Sequence, residues 1–268
     1  MDVARGYNCP SVLTGDDPEP VLILNPANAR TVLIIADHAG NAVPAAMKQL
    51  GLNADDLNRH IAWDPGAALV AKELANRLAA TAVLSQYSRL IVDPNRPLGD
   101  GSSMPIISDA THIPANAELT DTERSLRAEL FYWPYHQAIS HQMARLRRTG
   151  PGPVLVSIHS FTPDFGDEER PWHIGVMAAT DRRLGDAVIV GLAESGDINV
   201  GDNQPYSGVE YGYTLKIHGG SQGLANVQIE IRQDLLADHS DILHWAGLLE
   251  RVLNPLIDDP EMLAIAHH

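Results

Sequence analysis

Two histidines in this sequence follow short apolar runs that predict buried strands. His38 comes after residues 31–36 (TVLIIA) and one aspartate, and His159 comes directly after residues 154–158 (VLVSI). Continuous β-branched runs of this kind are typical of strands buried on both faces, and open α/β sheets bind ligands at the carboxyl ends of their strands. One such histidine alone would favour a hydrogen-bonded residue at the edge of the sheet. Two in the same context predict a metal site, because neutral imidazole is the commonest zinc ligand.

A catalytic zinc ion takes three protein ligands, so a third ligand is required. Asp64 is the candidate, because a carboxylate completes many zinc sites that have two histidines. The alternative for Asp64 is a helix N-cap, since Asp64-Pro65 predicts the start of a helix that runs to about residue 80. Asp37 and His60 are the other candidates for the third ligand.

Glu230 lies in the middle of residues 227–231 (VQIEI), a predicted strand in which Gln228, Glu230 and Arg232 share one face. A carboxylate near the end of a strand could act as a general base, and burial would raise its pKa towards the useful range. The alternative is a solvent-facing glutamate paired with Arg232. The residues taken alone favour that alternative.

Arg89, Asn95 and Arg96 flank a strand-like run, residues 89–93 (RLIVD), and enter a predicted long loop at 94–117 that is rich in Pro, Gly and Ser. A planar guanidinium binds a carboxylate through two parallel hydrogen bonds, and an asparagine adds a neutral donor. These side chains therefore predict a binding site for an anionic substrate. The alternative is a structural arginine tied to Asp93. We favour binding because the Asn-Arg pair stands between two prolines.

The composition limits the possible partners and the compartment. The net charge is −15, and no cluster of Lys and Arg is visible, which argues against nucleic acid as a partner. An anionic substrate would need local arginines or a metal to reverse this field. The single cysteine, Cys9, allows no intrachain disulfide, and the N-terminus does not read as a signal peptide. With no apolar run near the ~20 residues that cross a bilayer, we predict a cytoplasmic protein without a membrane partner.

Strand-like and helix-like segments alternate along the chain, which predicts an α/β sandwich around a mostly parallel sheet. We expect a single domain over residues 1–268, with residues 1–30 as an N-terminal arm packed on it. Thr120 and Glu123 form a capping box that would start a long helix to about residue 148, kinked at Pro134. The other predicted segments are strands at 82–86 and 174–178, helices at 181–194 and 238–253, and a loop or lid at 201–223.

Five segments, in this order, resemble the N-formylglutamate amidohydrolase family: DHAGN, HIAWDPGA, SRLIVDPNRP, VSIHSFTP and VQIEIRQDLL. The resemblance runs from about Val32 to Leu235. That family is similar in fold to the zinc carboxypeptidases and to the aspartoacylase and succinylglutamate desuccinylase enzymes. The resemblance implies a three-layer α/β/α sandwich with a mixed, mostly parallel central sheet, like that of a zinc carboxypeptidase.

The resemblance also implies a role for each candidate residue in an enzyme that holds one Zn²⁺ per chain. His38 and His159 match the two metal histidines. Glu230 looks like the general base, which lifts it above its solvent-facing alternative. The other candidates would contact the substrate: Asn95 and Arg96 would hold the substrate carboxylate, and Arg89 would polarise the scissile carbonyl.

One position departs from the pattern of the related enzymes. Carboxypeptidases and desuccinylases carry a glutamate ligand three residues after the first histidine, where this chain has Asn41. An amide is a poor replacement for a carboxylate, which is why we expect Asp64 to complete the site.

The function predicted in this way is zinc-dependent removal of an N-acyl group from an acidic amino acid, a small-molecule substrate such as N-formyl-L-glutamate. The resemblance alone favours formyl, and it implies a place in amino-acid degradation and histidine catabolism. Two alternatives stay open. One is a carboxypeptidase-like hydrolase of a peptide or cell-wall fragment, and the other is a non-catalytic protein that binds a carboxylate on the same scaffold.

Overall fold

The strands of the protein lie in one central sheet and two small hairpins. The computed structural model describes residues 12–148 and 152–267, and Cys9 falls outside them. Numbered along the chain, the described strands are β1 (Val21–Leu24), β2 (Val32–Ala36), β3 (Thr81–Ser85), β4 (Ile107–Ser108), β5 (Thr111–His112), β6 (Val154–Phe161), β7 (Asp164–Phe165), β8 (Glu168–Glu169), β9 (Ile174–Met177), β10 (Val200–Asp202) and β11 (Asn226–Arg232). The hairpins pair β4 with β5 and β7 with β8.

The central sheet has seven strands in the order β1-β3-β2-β6-β11-β9-β10. Strand β1 is antiparallel to β3, and β9 is antiparallel to β11, whereas the other neighbours run parallel. Every residue of β2 and β6 is buried, as expected for central parallel strands covered on both faces. The prediction of a mixed, mostly parallel sheet is therefore confirmed.

Helices cover both faces of the sheet. The described α-helices are α1 (Ala54–Asn58), α2 (Ala67–Arg77), α3 (Asp121–Arg127), α4 (Trp133–Arg147), α5 (Arg183–Ala193), α6 (Tyr213–His218), α7 (His239–Leu256) and α8 (Pro260–Leu263). Val32 and Ile34 of β2 pack in one core with α2, α5 and α7. Leu33 and Ile35, which point the other way, pack in a second core with α4 and with Leu215 of α6. These two cores confirm the three-layer α/β/α sandwich.

Some predicted elements differ from those observed. Residues 89–93 form a turn rather than a strand, because Leu90, Ile91 and Val92 pack into a third apolar core outside the sheet. The helix predicted at 64–80 begins at Ala67 with Gly66, at φ +80°, as its N-cap, so Asp64 is not a cap. His159 lies within β6 rather than after it. The segment 201–223, predicted as a loop or lid, contains β10 and α6.

The capping box at Thr120 and Glu123 is confirmed at the start of α3. A π-helical turn, Ala128–Tyr132, joins α3 to α4, and Pro134 lies in the first turn of α4, directly after the π-helical turn. In the predicted N-terminal arm, Val21–Leu24 forms the edge strand β1. The division into domains stays a prediction. Among the described residues, no helix combines the length and apolar character needed to cross a bilayer.

Candidate active site

The two histidines and Asp64 meet at the carboxyl end of β2 and β6. His38 lies in the turn that follows β2, His159 is on the neighbouring strand β6, and Asp64 precedes α2. One Asp64 oxygen, Oδ2, is 2.7 Å from His159 Nδ1 and 3.4 Å from His38 Nδ1. The Asp64 backbone N–H donates to the carbonyl oxygen of His38 at 2.9 Å, which ties the two loops together. All three side chains are buried.

The Nε2 atom of each imidazole donates to a second carboxylate, on the side of the ring that faces away from Asp64. His38 Nε2 lies 2.8 Å from Asp93 Oδ1, and His159 Nε2 lies 2.9 Å from Asp37 Oδ2. A carboxylate can only accept, so Nε2 of each ring carries a proton. His159 Nδ1 also faces a carboxylate oxygen, that of Asp64, and is therefore protonated as well when no cation lies between them; a bound cation would take the place of that proton. This carboxylate–histidine arrangement is common behind metal ligands, because it fixes the tautomer and the ring orientation.

The donor set fits a divalent metal ion. The ligand atoms of His38, Asp64 and His159 lie within 4.8 Å of one another, and two imidazoles with one carboxylate are a known set for catalytic zinc. His38 Nδ1 is buried and has no hydrogen-bond partner among the described residues, which is costly for a polar atom that serves no other purpose. These three residues could therefore hold a metal.

The charges around the cluster also favour a cation. Burial lowers the pKa of His159, but hydrogen bonds to Asp37 and Asp64 outweigh burial and raise it well above its usual value. Burial raises the pKa of Asp64, yet the charges and hydrogen bonds of His38 and His159 hold it below the usual range. Carboxylates that attract a proton to these rings would attract a metal ion for the same electrostatic reason.

Glu230 lies beside the cluster. Its Cα pairs with that of His159 across β6 and β11, and its side chain is 3% exposed. Burial and the nearby Asp64 charge raise the pKa of Glu230, while His159 opposes the rise. Gln228 Nε2 donates to Glu230 Oε1 at 2.7 Å, and Arg232 pairs with Asp234 instead. Glu230 is thus buried, not solvent-facing.

The three residues predicted to bind the substrate line the same cleft, but their surroundings differ. Arg89 donates to Asp93 Oδ2 from Nε at 3.2 Å and from one Nη at 2.7 Å, while its other Nη lies 3.7 Å from Asp64. Asn95 Oδ1 accepts from the N–H of Thr214 at 3.0 Å, and its NH₂ group makes no hydrogen bond within the part of the chain that the structure describes. The Arg96 guanidinium stacks over the Tyr211 ring at 5.1 Å.

The cleft has a volume of about 200 Å³. Residues from all of these segments line it, including His38, Asp64, Arg89, Asn95, Arg96, His159, Tyr206, Tyr211, Gln228 and Glu230. Arg96 has no carboxylate partner among the described residues, whereas Arg89 has two nearby. The free guanidinium is therefore the stronger candidate for an anion receptor.

The other candidates for the third ligand do not complete the cluster. Asn41 Nδ2 donates to the Leu57 carbonyl oxygen at 2.9 Å. Asp37 lies behind His159, as described above, and His60 sits 3.7 Å from Asp109 at the rim. Sequence reasoning missed the supporting roles of Asp93 and Gln228. The contact between Asp93 and His38 joins residues 55 positions apart, for which a single sequence carries no signal. The period of a strand does place Gln228 and Glu230 on one face, but it does not show that their side chains form a hydrogen bond.

Comparison with known proteins identifies the family. The sequence profile of N-formylglutamate amidohydrolase matches residues 30–237, which is more than half of the chain. The chain belongs to the N-formylglutamate amidohydrolase family. It is therefore an amidohydrolase, an enzyme that cleaves amide C–N bonds. A search of curated proteins found no match.

Two solved structures resemble this member of the N-formylglutamate amidohydrolase family over most of its length. The gene product Atu2144 from Agrobacterium tumefaciens is 38% identical, with a TM-score of 0.87 over 91% of this chain and 97% of that one. N-formylglutamate amidohydrolase from Ralstonia eutropha JMP134 is 19% identical, with a TM-score of 0.63 over 90% of this chain and 98% of that one. At that identity, the second similarity shows the shared fold.

Proposed function

We propose that the protein is a zinc-dependent amidohydrolase that removes the formyl group from an N-formyl acidic amino acid, with N-formyl-L-glutamate as the reference substrate. The observation that carries the proposal is the buried cluster of His38, Asp64 and His159, with the carboxylate of Glu230 beside it in one cleft. Family membership supports the reaction type. The zinc ion, the substrate, the cytoplasmic location and the pathway are parts of the proposal.

His38 Nδ1, His159 Nδ1 and one Asp64 oxygen would hold the metal. Bound there, zinc would supply Lewis-acid polarisation of water and of the amide carbonyl. Four carboxylates surround this position, those of Asp37, Asp64, Asp93 and Glu230, and two guanidiniums offset them. With both imidazoles neutral, two negative charges remain, which a divalent cation would balance.

Glu230 would move the proton. It accepts a proton from the attacking water, whose oxygen bonds to the acyl carbon, and then gives that proton to the leaving nitrogen as the C–N bond breaks. The products are formate and the free amino acid. Burial raises the pKa of Glu230, which suits both steps because it makes the carboxylate a stronger base towards water and still lets the carboxyl give the proton to the leaving nitrogen. The hydrogen bond from Gln228 to Oε1 would fix the orientation of the Glu230 carboxylate.

The remaining cleft residues would position the substrate. The NH₂ group of Asn95 and the guanidinium of Arg96 would hold the amino-acid carboxylate, since neither has a carboxylate partner among the described residues. The free Nη of Arg89 would donate to the carbonyl oxygen as negative charge develops there. Asp93 keeps the Arg89 guanidinium at the cleft wall.

The test is formate release from N-formyl-L-glutamate by zinc-loaded protein, compared with Glu230→Gln. We expect the variant to lose about 10²–10⁴-fold in kcat, because proton transfer by a positioned group contributes that much. Zinc content is measured in both proteins, so that a lost metal is not mistaken for a lost base. Full activity in Glu230→Gln would remove the proposed base.

The same assay separates the alternatives. Hydrolysis of peptides or cell-wall fragments, with no action on N-formyl amino acids, would select the carboxypeptidase-like function. A protein that neither contains zinc nor takes it up would leave only carboxylate binding by Asn95 and Arg96.

A further inference from the structure

A second cavity opens from the cleft on the side of α6. It measures about 330 Å³ and lies between β9, β11 and α6, on the face of the sheet covered by α4. We name it the side chamber, and its walls are Met177, Ala179, Thr180, Asp181, Gly208, Val209, Tyr211, Gly212, Leu215, Lys216, Gly220, Ser221, Asn226 and Gln228. Met177, Tyr211 and Gln228 line the cleft as well, so the two spaces meet there.

The side chamber lies where the side chain of a bound N-acyl amino acid would extend. The substrate Cα carries three groups: the acylated nitrogen, the carboxylate and the side chain. In the proposed function the nitrogen faces Glu230 and the carboxylate faces Arg96. Because Arg96 stacks on Tyr211, and Tyr211 borders the side chamber, the third group has that opening directly before it.

Most polar groups in the chamber wall already have protein partners. Ser221 Oγ donates to the Ile217 carbonyl oxygen at 2.7 Å, and Asn226 Nδ2 donates to that of Leu224 at 2.8 Å. The Asp181 carboxylate pairs with Arg183 at 2.7 Å. Met177, Val209 and Leu215 add apolar surface that suits methylene groups.

Lys216 is the one cationic residue among these wall residues. Its ammonium group has three donors, and one of them reaches the Val209 carbonyl oxygen at 2.8 Å. No described residue offers a carboxylate within ion-pair distance of this ammonium, so two donors and a full positive charge are available to a ligand. In a protein with a net charge of −15, an anionic side chain would need such a local cation.

We infer that the side chamber receives the side chain of the substrate and that Lys216 binds the carboxylate at its end. This inference rests on the proposed function and deepens it, because it assigns the residue that selects acidic amino acids over neutral ones. The apolar wall would contact the side-chain methylenes. Binding of this kind is made equally in the ground state and the transition state, so its loss should raise KM more than it lowers kcat.

The experiment compares kcat/KM for N-formyl-L-glutamate and N-formyl-L-glutamine, which have the same shape but differ in side-chain charge. The proteins are the wild type, Lys216→Met, Lys216→Arg and Lys72→Met. Lys72 lies on α2, across the sheet from the side chamber, and controls for the loss of one positive charge. We expect a glutamate preference of at least about 10-fold in the wild type and in Lys72→Met. Lys216→Met should lose it mainly through KM, and Lys216→Arg should restore part of it.

An unchanged glutamate preference in active Lys216→Met would overturn the inference and leave the proposed function standing. A wild type that hydrolyses both substrates equally would also overturn it. If the wild type, loaded with zinc, hydrolyses neither, then the proposed function fails and the inference fails with it. Lys216 is half-buried and makes a single hydrogen bond, so the variants should fold.

Discussion

Asp37 gives the sharpest test at the scale of single residues. Its Oδ2 accepts from His159 Nε2 at 2.9 Å and from Ser157 Oγ at 3.2 Å. Asp37→Asn can place an amide N–H against Nε2, which would move the imidazole proton to Nδ1, the atom that faces the proposed metal. We expect zinc affinity to fall about 10- to 100-fold, measured by competition with a chelating indicator.

Ser157→Ala is the matched control for this change, because it removes the other partner of Asp37 Oδ2 and leaves the tautomer of His159 alone. Its zinc affinity should stay within a few-fold of the wild type. Equal affinities in Asp37→Asn and the wild type would show that Asp37 does not set the proton on His159, or that His159 does not bind the metal.

The candidate residues differ in how far the sequence could place them. The sequence shows that His38 and His159 occupy the same context, because a buried strand and its end can be predicted from neighbouring residues. The sequence favours Asp64 over Asp37 and His60 without deciding between a ligand and an N-cap, since a carboxylate before a proline is typical of both. In the structure, Gly66 is the N-cap because its left-handed φ of +80° starts the helix at Ala67. The Asp64 side chain is therefore not used for capping.

At the scale of elements, the loop that carries His38 is packed against the end of β3. A Cβ on Gly40 would lie far inside the van der Waals contact distance of the Gln86 carbonyl oxygen, which belongs to the backbone and cannot rotate away. Gly40→Ala should therefore displace this loop and cost roughly 1–3 kcal/mol of unfolding free energy. Urea unfolding with a chelator present measures that cost, and a zinc titration should show weaker binding.

Gly99→Ala is the matched control for the Gly40 variant, since nothing lies within 4 Å of the Cβ it would add. It should change neither stability nor zinc affinity by a measurable amount. If Gly40→Ala behaved like Gly99→Ala, the loop would be adaptable and the close approach to Gln86 would not hold His38 in place.

The run RLIVD shows why one element was predicted wrongly. Its apolar, β-branched residues indicate burial, and burial in a strand is the commonest cause. Here Leu90 and Ile91 are buried in a turn, in one core with Phe131 and Tyr132 of the π-helical turn. Periodicity cannot separate a buried turn from a short buried strand, because both hide consecutive side chains.

At the scale of the whole molecule, the sheet brings together residues that lie far apart in sequence. Strands β2, β6 and β11 are neighbours and run parallel, so their carboxyl ends share one edge, and the register pairs His159 with Glu230. The sequence predicts each strand separately. It does not predict their order, because strand pairing is decided by packing over the entire chain.

The same folding buries a second histidine pair on the α4 side of the sheet, and this gives a prediction about pH. His136 Nε2 lies 3.0 Å from the Pro94 carbonyl oxygen, and its Nδ1 lies 2.9 Å from His218 Nε2. Burial and the neighbouring His136 lower the pKa of His218 to about 4, while Asp37 opposes the shift. Burial also lowers the pKa of His136, so both rings are neutral in the folded protein at pH 7.

The folded pKa of His218 is below its unfolded value of about 6.5, so the unfolded chain binds more protons between these two values. Stability is full above pH 6.5 and is lost as the pH falls towards 4. From pH 7.5 to 5, the free energy of unfolding of the wild type should fall by on the order of 1–2 kcal/mol more than that of His218→Gln. Urea unfolding with a chelator present keeps metal binding out of the comparison. His141→Gln, at an exposed site on α4, should show the same change in unfolding free energy between the two pH values as the wild type. If His218→Gln also showed that change, the buried pair would not couple folding to pH.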